Sequence, residues 1–153
     1  EKFRETWGIL KINNTPCHNN SDGCFINHQN ENNVLVVGDS HASWILQYLS
    51  YRIEMEDKWN LKTFTANSCF PLSGFKTLDL KTNKELPNCS SDYIEKVYKI
   101  LIKEENSVII FYAYWSKIFN DDSHIQYISK NNKSLTTSFL KLINELKKII
   151  RLL

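Results

Sequence analysis

No stretch of this chain is apolar for long enough to cross a bilayer as a helix, which takes about 20 consecutive residues of that kind. Its first residues, EKFRETWGIL, also lack the uninterrupted apolar segment of a secretion signal. If the domain is exported, the signal is expected outside this stretch. No stripe of lysine and arginine interleaves with aromatics, and the net charge is only +2. Neither a nucleic-acid surface nor an anionic-membrane surface is therefore expected. There is no internal repeat, and no low-complexity tract beyond an excess of asparagine. What remains is 153 residues, 42% hydrophobic and 24% charged, the make-up of one globular domain able to bury a core.

Four cysteines are present, Cys17, Cys24, Cys69 and Cys89. They fall into two local couples, which suggests the pairs 17–24 and 69–89, although four cysteines permit three connectivities. Each couple sits in a polar, loop-like stretch where little else would fix the chain. Two disulfides would imply an oxidising compartment; four buried thiols in a reducing one are the alternative. Cys17, Cys24 and His28 lack the tight C-x2-C knuckle of a zinc site, so no metal is expected.

Residues 1–31 read as an irregular arm, crowded with turn formers, with His18 and His28 solvated. Residues 32–153 read as the folded domain. Within it, VLVV (34–37) is a short apolar run suited to a parallel-sheet strand. A helix is predicted from Ala42, with Trp44, Ile45, Tyr48 and Leu49 as its inner face. LKTFTA (61–66) reads as a second strand, and the stretch with Pro71, Gly74 and Pro87 as a loop. A helix opening near Asp92, with Glu95 in capping-box spacing, turns Ile94, Val97, Tyr98 and Leu101 inward. SVIIFYAYW (107–115) is β-branched and aromatic, a core strand. A polar loop from Ser116 to about Lys133 and a helix from Ser134 complete the chain, with Leu135, Phe139, Leu142, Ile143, Leu146 and Ile150 along one side. Strands alternating with helices argue for an α/β layered domain with a mainly parallel sheet.

The residues that ask for an explanation are Gly38-Asp39-Ser40-His41, a small polar cluster at the carboxyl end of a buried strand. In parallel sheets ligands bind outside those ends. Gly38 supplies a flexible backbone for a sharp turn, and unpaired N–H groups at the following helix start would favour a developing negative oxygen. Ser40 is thus a candidate nucleophile, although G-x-S-x-G is absent. An ordinary turn, with Ser40 as N-cap and Asp39 as a turn residue, would use the same triplet. His41 adjoins Ser40 in sequence, which does not make it the base.

VLVVGDSHASW resembles the first block of the SGNH (GDSL-like) hydrolase superfamily. More narrowly, the layout resembles the SGNH domain fused behind an acyltransferase-3 membrane domain in surface-polysaccharide O-acyltransferases. A cysteine couple precedes the strand. The strand ends in G-D-S-H-A. A SCFPL segment (68–72) follows the second strand and has a later cysteine partner, and an aromatic strand ends at Trp115. The resemblance spans roughly residues 17–145.

That resemblance implies a three-layer, flavodoxin-like α/β sandwich with a mainly parallel sheet. It makes Ser40 the nucleophile and its N–H an oxyanion donor, with Gly74 as the nearest candidate for the second donor. Trp115 takes the family's aromatic position. Asp39, His41, Tyr114 and Asn120 are candidate site-lining residues, and the third-block asparagine has no clear counterpart. The family's base comes from a D-x-x-H motif near the C-terminus. Asp121-Asp122-Ser123-His124 fits the spacing but follows the third strand directly, so it reads as a solvated loop. The chain is therefore expected to stop before the catalytic Asp and His, C-terminally incomplete. The implied activity is transfer of an acyl group, commonly acetyl, onto a surface glycan through a serine ester, without metal or organic cofactor. The implied partners are an upstream membrane acyltransferase domain that delivers the acyl donor and a carbohydrate acceptor, with no nucleic acid. The implied location is periplasmic or extracellular, tethered to a membrane. Two rivals remain: a secreted esterase that gives the acyl group to water, and a degenerate glycan-binding module. The N-x-S/T sequons at Asn13, Asn19, Asn88 and Asn132 say little in so asparagine-rich a chain.

Overall fold

A computed structural model of the protein describes residues 9–26, 29–69, 75–104, 107–113 and 125–129. The chain divides into two units, residues 1–67 with 106–113, and residues 68–105 with 114–153.

The first unit is built on a sheet of four strands. VLVV lies inside β4 (Asn32–Gly38), and LKTFTA lies largely inside β5 (Trp59–Thr65). β4 pairs in parallel with β5 on one side and with β8 (Ser107–Tyr112) on the other. The neighbour of β5 on its far side is β3 (Cys24–Ile26), antiparallel, so the sheet is mixed, in the order β3-β5-β4-β8. Leu35, Val36 and Val37 are fully buried although they alternate between the two faces of the strand, as expected of a parallel strand covered on both faces. β8 differs from the expected core strand. It is an edge strand among those described, and its Val108 and Tyr112 are exposed.

Asparagines set the register at the amino ends. Asn33 and Asn60 are cross-strand partners, and the Asn60 amide donates to Asn33 Oδ1 at 2.9 Å and to the Asn30 carbonyl at 2.6 Å. A slip of one residue would break both bonds and reverse the faces of β4.

α1 (Ala42–Glu56) joins β4 to β5 and packs on both. Its buried residues are Ala42, Ser43, Leu46, Ser50 and Ile53. This corrects the expected inner face: Ile45 and Leu49 are partly buried beside the core, but Trp44 and Tyr48 point outward. The reason is steric. Small side chains at Ala42, Ser43 and Ser50 let the helix approach the sheet closely, whereas an indole on that face would hold it away. The helix ends at Asp57, in the left-handed region at φ 45°, whose N–H returns to the Ile53 carbonyl at 3.0 Å.

The asparagine-rich arm is more ordered than its composition suggests. β1 (Lys11–Ile12) and β2 (Thr15–Pro16) form a hairpin, and β3 joins the main sheet. Cys17 is bonded to Cys24, and both lie in the core with Val36, Leu46 and Leu61. Closing so short a loop contributes about 2.5 kcal/mol in the chain-entropy account. His18, expected in solvent, is buried instead. Its Nε2 lies 2.8 Å from Asn67 Oδ1 and its Nδ1 3.2 Å from Thr65 Oγ1. The Asn67 oxygen can only accept, so Nε2 carries the proton. The ring thereby clasps the arm to the carboxyl end of β5.

The second unit carries an antiparallel sheet where a loop was expected. β6 (Phe75–Asp79) lies between β7 (Lys84–Glu85) and β9 (Ile125–Ser129). β9 thus falls inside the stretch read as polar loop. Its sequence, IQYIS, is short and does not alternate cleanly, so among the surrounding turn formers it carries no strand period. A 3-10 turn (Pro87–Cys89) follows, and Cys89 is bonded to Cys69. α2 (Ser91–Leu101) buries Tyr93, Ile94, Val97 and Leu101. Its cap is Ser90, whose hydroxyl accepts from the Tyr93 N–H at 3.2 Å, rather than Asp92. Asp92 lies in the first turn, where the helix dipole favours a carboxylate. Glu85 accepts from the N–H and the hydroxyl of Ser91, fixing β7 against the helix start. The helix predicted from Ser134 lies outside the described residues.

Candidate active site

The parallel neighbours of β4 lie on opposite sides of it, and the chain reaches β5 before β8. Such a strand marks a topological switch point, where a crevice opens beyond the carboxyl ends. Gly38 is the last residue of β4, so Ser40 stands two residues past that rim.

The need for glycine at 38 is not conformational, contrary to expectation. Among the described residues Gly23 is the glycine with positive φ. A Cβ on Gly38 would meet the Tyr112 carbonyl oxygen at 1.8 Å and the Ala42 Cβ at 3.0 Å. Glycine is required because the backbone of β8 and the start of α1 both close on this point. The Ala66 N–H adds a bond to the Gly38 carbonyl at 3.1 Å, tying the end of β5 to the same corner.

Asp39 then builds the turn. Its Oδ1 accepts from the His41 N–H at 2.8 Å and its carbonyl from the Ala42 N–H at 3.1 Å. The side chain is buried at the positive end of α1, a favourable place for a carboxylate. Two helix-start N–H groups expected to face solvent are thereby taken up. The His41 carbonyl accepts from Trp44 at 3.2 Å. The N–H of Ser40 itself has no acceptor among the described residues.

Ser40 is half-buried. Its carbonyl accepts from the Ser43 hydroxyl at 2.6 Å, which pins the main chain. Its own Oγ has no hydrogen-bond partner among the described residues. The ordinary-cap alternative therefore holds only in part: Asp39 is a turn residue, but the N-cap of α1 is His41, not Ser40, and no side chain caps the helix. A hydroxyl of this kind, beside an N–H donor and on a pinned turn, can attack a carbonyl and share the resulting oxyanion with its own amide.

His41 Nδ1 lies 3.5 Å from Asp39 Oδ1, an ion pair only when the ring is protonated. Its ring lies 5.5 Å from that of Trp44, tilted by 34°. Trp44 is 71% exposed. Periodicity placed it in the core, and no pattern in the sequence marks it as outward. Gly74, Tyr114, Trp115 and Asn120 lie outside the described residues, as do Asp121 and His124. Among the described residues no group of acidic, histidine and cysteine side chains is arranged to hold a metal, and no helix is long and apolar enough to cross a membrane.

A protein-family model described as "SGNH domain (fused to AT3 domains)" matches residues 12–152. No curated protein and no solved structure matches the chain.

Proposed function

The chain belongs to the family of SGNH domains fused to AT3 domains, and on that premise we propose that it carries an acyl group as an ester on Ser40 and passes it to a hydroxyl of a surface glycan. As a member of that family it is an acyltransferase-associated SGNH module. The observation that carries the finer reading is the Ser40 Oγ at the switch point, without a hydrogen-bond partner among the described residues, on a turn that Asp39 holds through the His41 N–H.

The chemistry runs in two halves. Ser40 Oγ bonds to the acyl carbon while its proton passes to a general base. The tetrahedral oxyanion, held by the Ser40 N–H, collapses, and the donor's leaving group departs with a proton. A glycan hydroxyl then repeats the attack on the ester and releases Ser40. Asp39 holds the turn, its Oδ1 accepting from the His41 N–H. The family's D-x-x-H histidine is the base proposed for the whole protein, with Gly74 as a second oxyanion donor. The acyl group is acetyl in this reading. The two disulfides fit a periplasmic or extracellular location, and the upstream membrane domain supplies both tether and acyl donor.

Ser40 is tested in the full-length protein with a fluorophosphonate probe and by mass spectrometry of the Ser40 peptide during turnover. The expected outcome is a probe adduct and an acyl ester on Ser40, both absent from Ser40→Ala, which loses acylation but keeps its melting temperature. Undiminished glycan acylation by Ser40→Ala would remove the serine from the mechanism. An acyl-enzyme that yields only free acid, with no acylated glycan, would identify an esterase.

A further inference from the structure

Four large side chains of α1 are left outside. Trp44 is 71% exposed, Tyr48 51%, Tyr51 44% and Met55 65%, at successive steps of four, three and four residues along one face. The inner face is complete without them, closed by Ala42, Leu46, Ser50 and Ile53. Their exposure is therefore a property of how the helix docks, not a gap in the core. This stripe begins at the candidate nucleophile. Trp44 lies one helical turn beyond Ser40, and its indole lies 5.5 Å from the ring of His41, the residue that follows the serine, at a tilt of 34°.

We propose that His41 and Trp44 form a platform on which a sugar ring of the acceptor glycan stacks, presenting its hydroxyl to the acyl-serine. Tyr48 extends the platform by a rise of about 6 Å, the scale of one sugar unit. This subsite rests on Ser40 being the acyl carrier. The negative face of an indole attracts the polarised C–H face of a pyranose. Tyrosine and tryptophan combine that apolar face with a polar rim, which suits a hydroxylated ligand more than an aliphatic one. Charge disfavours an anionic membrane as the occupant. The two cations at this end, Arg52 (paired with Glu56) and Lys58, are outnumbered by Glu54, Glu56 and Asp57. Membrane-facing helices carry lysine and arginine there instead.

Binding of chitotriose, cellotriose and maltotriose to the full-length protein is measured by saturation-transfer NMR. Wild type, Trp44→Ala and Trp44→Phe are compared, with melting temperature as the check on folding. At least one trisaccharide binds wild type. Trp44→Ala weakens it about 5-fold, the range one ring stack supports, and Trp44→Phe stays within about 2-fold. The platform is overturned if no trisaccharide binds, or if folded Trp44→Ala binds as well as wild type. It is equally overturned if Trp44→Ala keeps sugar binding but loses co-sedimentation with phosphatidylglycerol vesicles or self-association. Fluorophosphonate labelling of wild type is run in parallel. Labelled Ser40 without sugar binding removes the platform alone, whereas an unlabelled serine removes the acyl-carrier reading beneath it.

Discussion

Replacing Gly38 by alanine tests the corner on which the site stands. The added Cβ would lie 1.8 Å from the Tyr112 oxygen and 2.8 Å from its carbonyl carbon, both backbone atoms that no rotamer can move. An ordinary carbon–oxygen contact is about 3.3 Å, so β8 would have to withdraw by about 1.5 Å at this point. A hydrogen bond of about 2.9 Å stretched that far is lost. The pairing of Gly38 with Tyr112 ends the β4–β8 ladder, so one or two bonds go, at about 1 kcal/mol each. Overpacking against the Ala42 Cβ, 3.0 Å from the new atom, adds about 1–3 kcal/mol. The sum is about 2–5 kcal/mol, a large share of the stability of a domain this size. Thermal unfolding followed by circular dichroism should show the midpoint falling by about 10 °C. Fluorophosphonate labelling of Ser40 should slow with it, because the turn is anchored on the same residue. Gly38→Asn separates two causes. If a left-handed backbone were the requirement, asparagine would be tolerated better than alanine; if the carbonyl of Tyr112 is the obstacle, the larger side chain is worse. An alanine variant that melts within about 2 °C of wild type, or an asparagine variant that outperforms it, refutes the close-approach argument.

Two further outcomes follow from buried polar groups. Asp39→Ala leaves the His41 N–H without its acceptor and should cost about 1 kcal/mol, whereas Asp39→Asn keeps an accepting oxygen and most of that stability; equal losses in denaturant titration would show that charge, not the hydrogen bond, matters. The Tyr93 hydroxyl is buried without a partner among the described residues, and burial pushes its ionisation well above the ordinary range. Its folded pKa is raised, so the stability it preserves is complete below about pH 10 and is lost as the pH climbs beyond that. Tyr93→Phe should therefore resist alkaline unfolding better than wild type and be at least as stable at pH 7; a less stable variant at pH 7 would mean that the hydroxyl has a partner.

Much of the architecture is local and could be read from the chain. VLVV is apolar over four residues and can only be satisfied inside a sheet. Ser91–Leu101 has one apolar face and therefore one way to lie. Cys17 and Cys24 are so near in sequence that either bonds easily to the other, and so are Cys69 and Cys89. The turn formers hid β3 and β9, because a short strand takes its stability from a partner strand, not from its own composition. The position of Ser40 at a strand end was likewise visible, since a halted apolar run followed by a helical one leaves the serine at the junction.

Three things were decided only in three dimensions. Which oxygen ties down the turn before α1 depends on where Asp39 is held relative to the His41 N–H. The reason for Gly38 is the carbonyl of Tyr112, more than seventy residues away in the chain. The outward turn of Trp44 is set by how closely α1 can approach the sheet, and that distance depends on the small side chains at Ala42, Ser43 and Ser50. Periodicity reports which residues share a face of a helix. Only the packing of helix on sheet chooses which of two competing apolar faces goes inside.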